Sequence, residues 1–410
     1  MSESREKALQ RAEQLKRSIL GYEEALPAIP TGFQQWPRIQ ENREKLKALL
    51  QATDKDWRNW RWHMKNRVGT SDLLKEYFPL SPPQLEEIER VGASYRWAVS
   101  PYYLSLIDPD DPRDPIRAQS IPSLKECTDS AGSSDPMDEE HTSPAPAVTR
   151  RYPDRLIINV TNQCAMYCRH CQRRRNIGES DLATPRRDLQ KALDYVRQNP
   201  EIRDLLLTGG DAFTLGNSSI EWLLEQIAQI PHVEIKRFGT RTPVTLPYRI
   251  DDQLCEILSR HLPLYVNTQF NHPLEITPDA REACFKLARA GVSLGNQAVL
   301  LRGINDSPYV MRKLNQELLK IMVRPYYLFH PKRVLGTAHF WVKIEKGLDI
   351  MEHLRGYTSG LAIPSYIINA PLGYGKVPLT PQHLLWLDGD KAVIRTWENR
   401  VIEVENETEG

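Results

Sequence analysis

The apolar residues of this chain follow two different patterns. Up to about residue 107 they recur every three or four positions among charged residues, which predicts amphipathic helices. The clearest of these stretches are residues 3–20, 41–50 and 83–91. We therefore expect an N-terminal helical region, residues 1–107, that serves packing or oligomerisation.

Further along the chain, short apolar runs alternate with segments long enough for helices. The runs cover residues 156–160, 204–207, 233–237, 264–267, 292–299 and 323–328. The helix-like segments between them cover residues 188–198, 220–230, 251–260, 278–290 and 308–320. This alternation indicates a parallel sheet with right-handed crossovers. We interpret residues 151–330 as an α/β domain, a partial (β/α)6 barrel of the TIM type, and keep an open doubly wound sheet as the alternative.

Two segments fit neither pattern. Residues 108–150 begin with three closely spaced prolines, which disfavour a helix, and residues 128–147 contain almost nothing apolar to bury. An extended connector that crosses the surface is predicted there. The C-terminal region, residues 331–410, shows short strand patterns at 366–368, 391–394 and 401–404, which we place after the barrel as a short extension.

Composition narrows the function classes. With 40% hydrophobic and 26% charged residues, the chain of 410 residues is typical of a globular enzyme. A net charge of +1 gives no electrostatic reason to expect nucleic acid. No apolar run approaches the ~20 residues of a membrane span, and the N-terminus lacks the apolar core of a secretion signal. We expect a cytoplasmic protein without a nucleic-acid or membrane partner.

Three cysteines stand close together directly after the first predicted strand. Cys164, Cys168 and Cys171 have spacings of four and three residues, and three such thiolates can hold three irons of a four-iron, four-sulfur cluster. Clusters of this kind ordinarily take four cysteines. One iron would therefore stay open to bind a small molecule and deliver an electron to it.

Two other interpretations of these cysteines are weaker. A structural zinc site needs four ligands, usually in two pairs, whereas Cys127, Cys255 and Cys284 are isolated. A disulfide framework is not expected in a long chain with scattered cysteines. The open cluster is the interpretation we carry forward.

A glycine pair ends the second predicted strand, in the sequence Gly209-Gly210-Asp211. Glycines let the backbone approach a ligand closely, and the aspartate can accept a hydrogen bond from an ammonium group. A plain tight turn is the alternative. Next to a cluster-binding strand, the motif becomes a candidate for the amino group of S-adenosylmethionine (SAM).

A lysine follows two spaced glycines in Gly373-Tyr-Gly375-Lys376. A phosphate-binding loop would require Ser or Thr after this lysine, and Val377 stands there instead. A desolvated lysine can form a Schiff base with pyridoxal phosphate (PLP). A solvated loop lysine is the alternative.

Arginines are concentrated around the first strand. They are Arg150, Arg151, Arg155, Arg169, Arg173, Arg174 and Arg175. Guanidinium groups match carboxylate and phosphate, so this concentration predicts anionic ligands. Aromatic and basic residues also interleave at 57–62, where base stacking is possible, although an amphipathic segment that packs its tryptophans is favoured.

Taken together, these motifs resemble the lysine 2,3-aminomutase family of radical SAM enzymes. The resemblance runs from about residue 57 to residue 378 and includes Arg241-Thr-Pro, Asn271-His-Pro and residues 295–303 and 324–327. It implies a [4Fe–4S] cluster that cleaves SAM reductively to a radical. It also implies a PLP-bound amino acid whose amino group moves from C2 to C3.

The resemblance also implies roles for individual residues. Lys376 would form the Schiff base with PLP, and Arg151 and Arg155 would hold the cofactor phosphate. Arg173 would pair with the α-carboxylate of the substrate. The residues expected around SAM are His170, Gly209, Gly210, Asp211 and Gln297.

The chain departs from the family at two positions. Lysine-specific members carry an aspartate after the Pro-Tyr-Tyr strand and another seven residues before the Schiff-base lysine, and both hold the distal ammonium. Lys332 and Asn369 occupy these positions here. A cation there repels a distal ammonium and attracts a distal carboxylate, so the expected substrate is glutamate, converted to β-glutamate.

Several alternatives remain open. Lysine or arginine 2,3-aminomutase activity would use the same chemistry with a different pocket, and Lys332 argues against both. An iron–sulfur electron carrier would bind neither SAM nor PLP, so Schiff-base absorbance would exclude it. By resemblance we expect an electron donor such as flavodoxin or ferredoxin, and a homo-oligomer, either a dimer or a tetramer.

Overall fold

The structure is a computed structural model that describes residues 2–406. Helices fill its N-terminal region, as the helical periodicity predicts. They are α1 (Glu3–Arg17), α2 (Leu20–Ala25), α3 (Trp36–Leu49), α4 (Asp54–Trp57), α5 (Trp60–Lys65), α6 (Ser71–Tyr77), α7 (Pro82–Ser94), α8 (Pro101–Ser105) and α9 (Pro115–Ser120).

The tryptophans of the aromatic–basic stretch pack inside the protein. Trp57 and Trp60 are buried, and the indole N–H of Trp57 donates to the Tyr248 hydroxyl at 3.1 Å. The guanidinium of Arg249 lies 4.8 Å from the centre of the Trp60 ring. These contacts confirm packing over base stacking for this stretch.

A single nine-stranded sheet follows the helical region. Its strands are β1 (Val148–Thr149), β2 (Arg155–Thr161), β3 (Asp204–Gly209), β4 (Ile235–Gly239), β5 (Leu264–Thr268), β6 (Ser293–Val299), β7 (Arg324–Phe329), β8 (Ser365–Asn369) and β9 (Lys376–Leu379). The helices that follow or connect these strands are α10 (Arg186–Arg197), α11 (Asn217–Ala228), α12 (Thr242–Thr245), α13 (Asp252–Ser259), α14 (Pro278–Arg289), α15 (Pro308–Lys320) and α16 (Ile344–Leu354).

Strand order in this sheet follows chain order from β1 to β9. A doubly wound sheet requires the order to reverse at a switch point, and it never does, so that alternative is wrong. Strands β2 to β8 are parallel, while β1 and β9 pair antiparallel at the two edges. The partial barrel is confirmed in its six predicted strands, β2 to β7.

The barrel contains one more strand than predicted. The pattern at 366–368 was expected to lie after the barrel, but β8 pairs parallel to β7 and extends the sheet. β8 is only five residues long and just two of them are buried, so its short pattern did not show that it belongs to the barrel. This placement brings the C-terminal region into the wall of the barrel.

The expectation of an extended connector is wrong at residues 115–120, which form α9. Pro115 stands at the first position of α9, where proline is tolerated, and the Asp114 carboxylate caps the helix by accepting from the N–H groups of Ile116 and Arg117 at 2.8 Å. Farther along, Glu126 and Glu139 are buried. Composition alone did not predict this burial, because the buried groups are acids whose partners lie elsewhere in the chain.

A separate antiparallel sheet ends the described chain. Its strands are β10 (Leu384–Asp388), β11 (Lys391–Arg395) and β12 (Val401–Glu405), and the last two match the predicted strands. Across residues 2–406, no helix has the length and apolar character needed to cross a bilayer.

Candidate active site

One cavity opens at the carboxyl ends of the parallel strands and inside the barrel. It is lined by all fourteen residues expected above to bind the cluster, SAM, PLP or the substrate. These residues are Arg151, Arg155, Cys164, Cys168, His170, Cys171, Arg173, Gly209, Gly210, Asp211, Gln297, Lys332, Asn369 and Lys376. Loops that follow successive parallel strands meet at one edge of the sheet, which explains why residues so distant in sequence converge.

The three clustered cysteines lie in the loop after β2. Backbone hydrogen bonds fix this loop: the N–H of Tyr167 donates to Ala98 at 3.0 Å, and the N–H of Arg169 donates to Gln119 at 2.9 Å. Both acceptors precede the barrel in sequence. The N-terminal region therefore holds the cysteine loop against the barrel mouth.

The three thiols share one cavity without forming a single-ion site. Within residues 2–406, no three His, Cys, Asp or Glu side chains converge closely enough to hold a single metal ion. Cys164, Cys168 and Cys171 nevertheless line the same cavity and are free of disulfides. Their arrangement fits a larger group in which each thiolate binds a different iron.

The glycine pair after β3 has a packing role. Gly209 has a φ of +124°, and a Cβ atom there would lie 2.3 Å from the Thr161 carbonyl oxygen. A Cβ atom on Gly210 would lie 2.4 Å from the carbonyl oxygen of Gln163. Any side chain would thus push β3 away from the start of the cysteine loop, so both positions require glycine.

Asp211 is buried and anchors the neighbouring strand end. Its carboxylate accepts hydrogen bonds from the Thr240 hydroxyl at 2.5 Å, the Arg241 N–H at 2.6 Å and the Phe213 N–H at 3.1 Å. Burial raises the pKa of Asp211 despite these donors. The carboxylate lines the cavity, and its role toward SAM stays a prediction.

His170 presents a free donor in the same cavity. Its Nε2 lies 3.0 Å from Nε2 of Gln269 and 3.4 Å from Nδ2 of Asn271; because both amides donate, the ring proton belongs on Nδ1. That Nδ1 is buried and has no partner in the described part of the chain. Burial and the nearby Arg241 lower the pKa of His170, so the ring is neutral.

Other polar atoms in the cavity also lack partners. Nδ2 of Asn267 and Oγ1 of Thr268, both at the end of β5, are buried without a hydrogen bond to residues 2–406. Buried polar groups are normally satisfied. Unsatisfied donors and acceptors in one cavity fit a polar ligand such as SAM, and Gln297 on β6 faces the same space.

Lys376 begins β9 after a hairpin that requires two glycines. Gly373 and Gly375 have φ values of +75° and +94°, which side-chain-bearing residues rarely adopt. The Lys376 Nζ lies 4.9 Å from the centre of the Tyr327 ring. Burial, with nearby arginines, lowers the pKa of Lys376 to about 8, which favours the neutral amine that a Schiff base needs.

Two of the predicted phosphate ligands lie near Lys376. Arg155 stacks on the Tyr152 ring at 3.9 Å, and the Tyr152 hydroxyl accepts from the Lys376 N–H at 2.9 Å. Arg151 lines the cavity beside them. Guanidinium groups close to a lysine of lowered pKa fit the phosphate and the aldehyde carbon of PLP.

Acids of the connector balance much of the arginine concentration. Glu126 pairs with Arg169 at 2.5 Å and with Arg174 at 2.7 Å. Arg150 pairs with Glu201 and Arg175 with Asp135, each at 2.7 Å, and neither arginine lines the cavity. The prediction that all seven arginines signal anionic ligands is therefore wrong for these two, and also for Arg169 and Arg174. The partner of Arg169 and Arg174 precedes them by more than forty residues, which is why the local pattern did not reveal it.

Glu139 is a site residue that the sequence did not single out. Its carboxylate contacts Arg151 at 3.0 Å, Arg173 at 3.0 Å and Arg175 at 3.2 Å. Burial opposes its ionisation, but the three arginines lower the pKa of Glu139 overall. The acidic character of residues 128–147 was visible, and it was interpreted as a solvated surface.

The two departures from the lysine-specific pattern lie in this cavity. The Lys332 ammonium donates to the Gln172 side-chain oxygen, and Nδ2 of Asn369 is buried with no acceptor among the described residues. Burial, together with Arg173 and Arg151, lowers the pKa of Lys332 to about 7. Gln172, between Cys171 and Arg173, is a second residue that the sequence did not single out.

Comparison with known proteins agrees with this geometry. The family model described as the Radical SAM superfamily matches residues 158–312, which span the cysteine loop and most of the barrel. The model described as Lysine-2,3-aminomutase matches residues 351–409, which include Asn369 and Lys376. The fold and site thus define a radical SAM enzyme with a [4Fe–4S] cluster and SAM as cofactors.

Similarity to curated proteins shows the family to which this chain belongs. Glutamate 2,3-aminomutase of Clostridioides difficile (strain 630) is 53% identical over 407 residues, which cover 99% of this chain and 96% of that protein. L-lysine 2,3-aminomutase of Clostridium subterminale is 47% identical over 348 residues, covering 85% of this chain and 84% of that protein. The Bacillus subtilis (strain 168) L-lysine 2,3-aminomutase is 42% identical, covering 89% and 78%. The chain belongs to the lysine 2,3-aminomutase family and is an isomerase.

Proposed function

We propose that this enzyme interconverts L-glutamate and β-glutamate (3-aminoglutarate). The observation that carries the proposal is the pair of Lys332 and Asn369 in the cavity wall. One is a cation held by a neutral amide, and the other is a buried donor without an acceptor. A carboxylate at the far end of the substrate would satisfy both groups.

The charge of the cavity supports a dicarboxylate substrate. Asp211 is the only acid among the described residues that line it. The lining cations are Arg151, Arg155, Arg173, Arg237, Arg241, Lys332 and Lys376. Such a site favours the phosphate of PLP and the two carboxylates of glutamate, which would share Arg151 and Arg173 with Glu139.

Lysine and arginine fit this cavity less well. Two ammonium charges about 4 Å apart repel by roughly 4 kcal/mol at an effective dielectric near 20, which is about three decades in binding. The same distance gives Lys332 a comparable attraction for a carboxylate. The relative from Clostridioides difficile, named for glutamate, covers nearly the whole chain, which supports the same substrate.

Different residues of the cavity would bind the cluster and PLP. When bound, the cluster and SAM supply one-electron chemistry that removes a hydrogen atom, and PLP supplies a carrier for the migrating amino group. Cys164, Cys168 and Cys171 would hold the cluster. Lys376 would hold PLP covalently, and its phosphate would lie against Arg151 and Arg155.

Substrate orientation would come from both ends of the molecule. Arg173 would bind the α-carboxylate while Lys332 and Asn369 bind the distal carboxylate, so the C2–C3 bond is held in one place. Fixed orientation of reacting groups lowers the barrier, and closure of the cavity during turnover would keep water from a reactive radical. His170, Gly209, Gly210, Asp211 and Gln297 would line the SAM side.

Two expectations concern the surroundings of the enzyme. A small one-electron protein such as flavodoxin or ferredoxin, in a cytoplasmic setting, would reduce the cluster. A homo-oligomer is supported by α1, which has no buried residue and exposes Leu9 and Leu15. Light scattering of the purified protein tests the oligomer.

The test of the proposal is an anaerobic assay of the reconstituted protein with reductant, SAM and PLP. L-glutamate and L-lysine are offered separately, and the β-amino acids are resolved by chromatography. β-Glutamate without β-lysine is the expected result. β-Lysine as the main product would overturn the proposed substrate while leaving the family assignment intact.

A further inference from the structure

Two sequence motifs have no residue-specific role in the proposed function. Arg241-Thr-Pro follows β4, and Asn271-His-Pro follows β5. The structure brings both together beneath the cysteine loop, around the side chain of Arg241. This guanidinium is only 8% exposed.

Hydrogen bonds on every side hold the Arg241 guanidinium in one orientation. Nε donates to the Gln269 carbonyl at 3.0 Å, and Nη2 donates at 2.7 Å to each of Gln119 Oε1 and Glu275 Oε1. Nη1 donates to Sγ of Cys168 at 2.9 Å. The planar fork is thus fixed with one N–H directed at a cysteine sulfur.

Glu275 is itself held rigidly. Its carboxylate is fully buried and accepts from the Tyr103 hydroxyl at 2.7 Å, the Asn271 N–H at 2.5 Å and the His272 N–H at 3.0 Å. The turn of the Asn271-His-Pro motif therefore presents Glu275 to Arg241. Neither motif needs a substrate contact to explain its presence.

We propose that Arg241 is a positioning residue that sets the reduction potential of the cluster bound by Cys168. An N–H donated to a ligand sulfur withdraws electron density from the iron, and a nearby cation stabilises the more negative reduced form. Both effects raise the potential. One electron from a low-potential donor then enters the oxidised cluster more readily, and no other bond changes in that step.

The buried ion pair adds directionality to this arrangement. Glu275 contacts Nη2, on the far side of the guanidinium from the N–H that Cys168 accepts. The positive end of the pair is thereby turned toward the sulfur. Gln119, from the connector, also accepts from Arg241 Nη2 and helps to fix the guanidinium. The connector would thereby contribute to the reduction of the cluster.

The experiment measures the cluster potential rather than activity. Reconstituted wild-type protein and the variants Arg241→Gln, Arg241→Lys and Glu275→Gln are titrated by anaerobic spectroelectrochemistry, after iron and sulfide have been quantified. Arg249→Lys is the matched control: Arg249 is equally buried and donates to the Phe213 and Leu215 carbonyls, without a cysteine sulfur among its hydrogen-bond acceptors in the described chain.

A more negative potential is expected for Arg241→Gln, and a smaller shift of the same sign is expected for Arg241→Lys, which keeps the positive charge. Glu275→Gln removes a negative charge beside the guanidinium and should shift the potential to a less negative value. Arg249→Lys should leave the potential unchanged. An unshifted potential in Arg241→Gln at full iron content overturns the proposal. If that variant binds too little iron, unshifted potentials in both Arg241→Lys and Glu275→Gln overturn it equally.

Discussion

Asn369 and Lys376 lie directly opposite each other across the antiparallel pair of β8 and β9. The Ala370 N–H donates to the Gly375 carbonyl at 2.8 Å and closes the hairpin between them. Opposed residues of this kind keep their Cα atoms about 4.5–5.5 Å apart. The proposed cofactor lysine and the proposed distal donor therefore share one hairpin, and the backbone sets their separation.

Removal of the hairpin lysine should abolish cofactor attachment. Lys376→Ala is expected to lose the visible absorbance of a PLP Schiff base and essentially all turnover, because no other lining lysine stands on this hairpin. Absorbance spectra of the PLP-loaded protein are the measurement. Lys236→Ala is the control, since burial also lowers the pKa of Lys236 on β4 but the side chain does not line the cavity. A Schiff base retained by Lys376→Ala would refute the assignment.

Charge reversal at Lys332 should reverse the preference between substrates. Lys332→Asp is expected to lower kcat/KM for glutamate by about a thousandfold or more, since the loss of roughly 4 kcal/mol of attraction alone corresponds to three decades and the new carboxylate adds repulsion. Turnover of lysine should rise from its low starting value. Competition assays with both substrates measure the ratio. Arg333→Asp places the same charge on the neighbouring exposed residue and should change the ratio little.

The pH dependence of glutamate use follows from the same lysine. Lys332 has a pKa of about 7 in the free cavity, and a bound carboxylate raises it, so binding takes up a proton between the two values. Affinity is therefore full at low pH and weakens as pH rises. Bound PLP phosphate also raises the pKa, so we expect kcat/KM to fall above a pKa of about 7 or higher. A Lys332→Met profile without that falling limb would confirm its source.

Gln172 should matter for specificity because it accepts from Lys332. Gln172→Glu places a carboxylate where the substrate's distal carboxylate is expected, and a charged hydrogen bond contributes about 1.5–3 kcal/mol. KM for glutamate should rise about tenfold to a hundredfold, with a smaller change in kcat. Gln172→Met removes the anchor without adding charge and should have a milder effect. Equal KM values for the two variants would contradict this role.

The sequence was sufficient to predict those parts of the site that are built from residues adjacent in the chain. The cysteine spacing, the glycine pair before Asp211 and the glycine-lysine hairpin each combine adjacent residues, and all were placed in one cavity by the regular barrel pattern. The long-range partners were not visible. Gln172 and Lys332 are 160 residues apart, and no periodicity links them.

The connector shows that burial caused by distant partners cannot be predicted from local composition. Residues 128–147 contain few apolar groups, of which Met137 is buried, and composition therefore predicted a solvated crossing. Burial of Glu139 depends on three arginines from around β2 and the cysteine loop, so the energy that orders the segment is ionic and nonlocal. Pro115 was similarly misleading, because a helix that begins at proline needs a cap, and Asp114 provides it.

Neutralising Glu139 should destabilise the protein and open the arginines to anions. Glu139→Gln is expected to cost about 3 kcal/mol, as for one partner removed from a buried ion pair, whereas Glu140→Gln at the exposed neighbour should cost little. The arginines lower the pKa of Glu139 in the folded state. Its contribution is therefore present above the unfolded value of about 4.3 and is lost as pH falls through the folded value.

Thermal unfolding with added inorganic phosphate separates this role from a purely structural one. Phosphate should stabilise Glu139→Gln more than wild type, because Arg151 and Arg173 no longer have their carboxylate partner, while Glu140→Gln should respond like wild type. The difference in stability between wild type and Glu139→Gln should shrink below about pH 4.3. Equal phosphate responses in all three proteins would show that Glu139 does not compete with anions for these arginines.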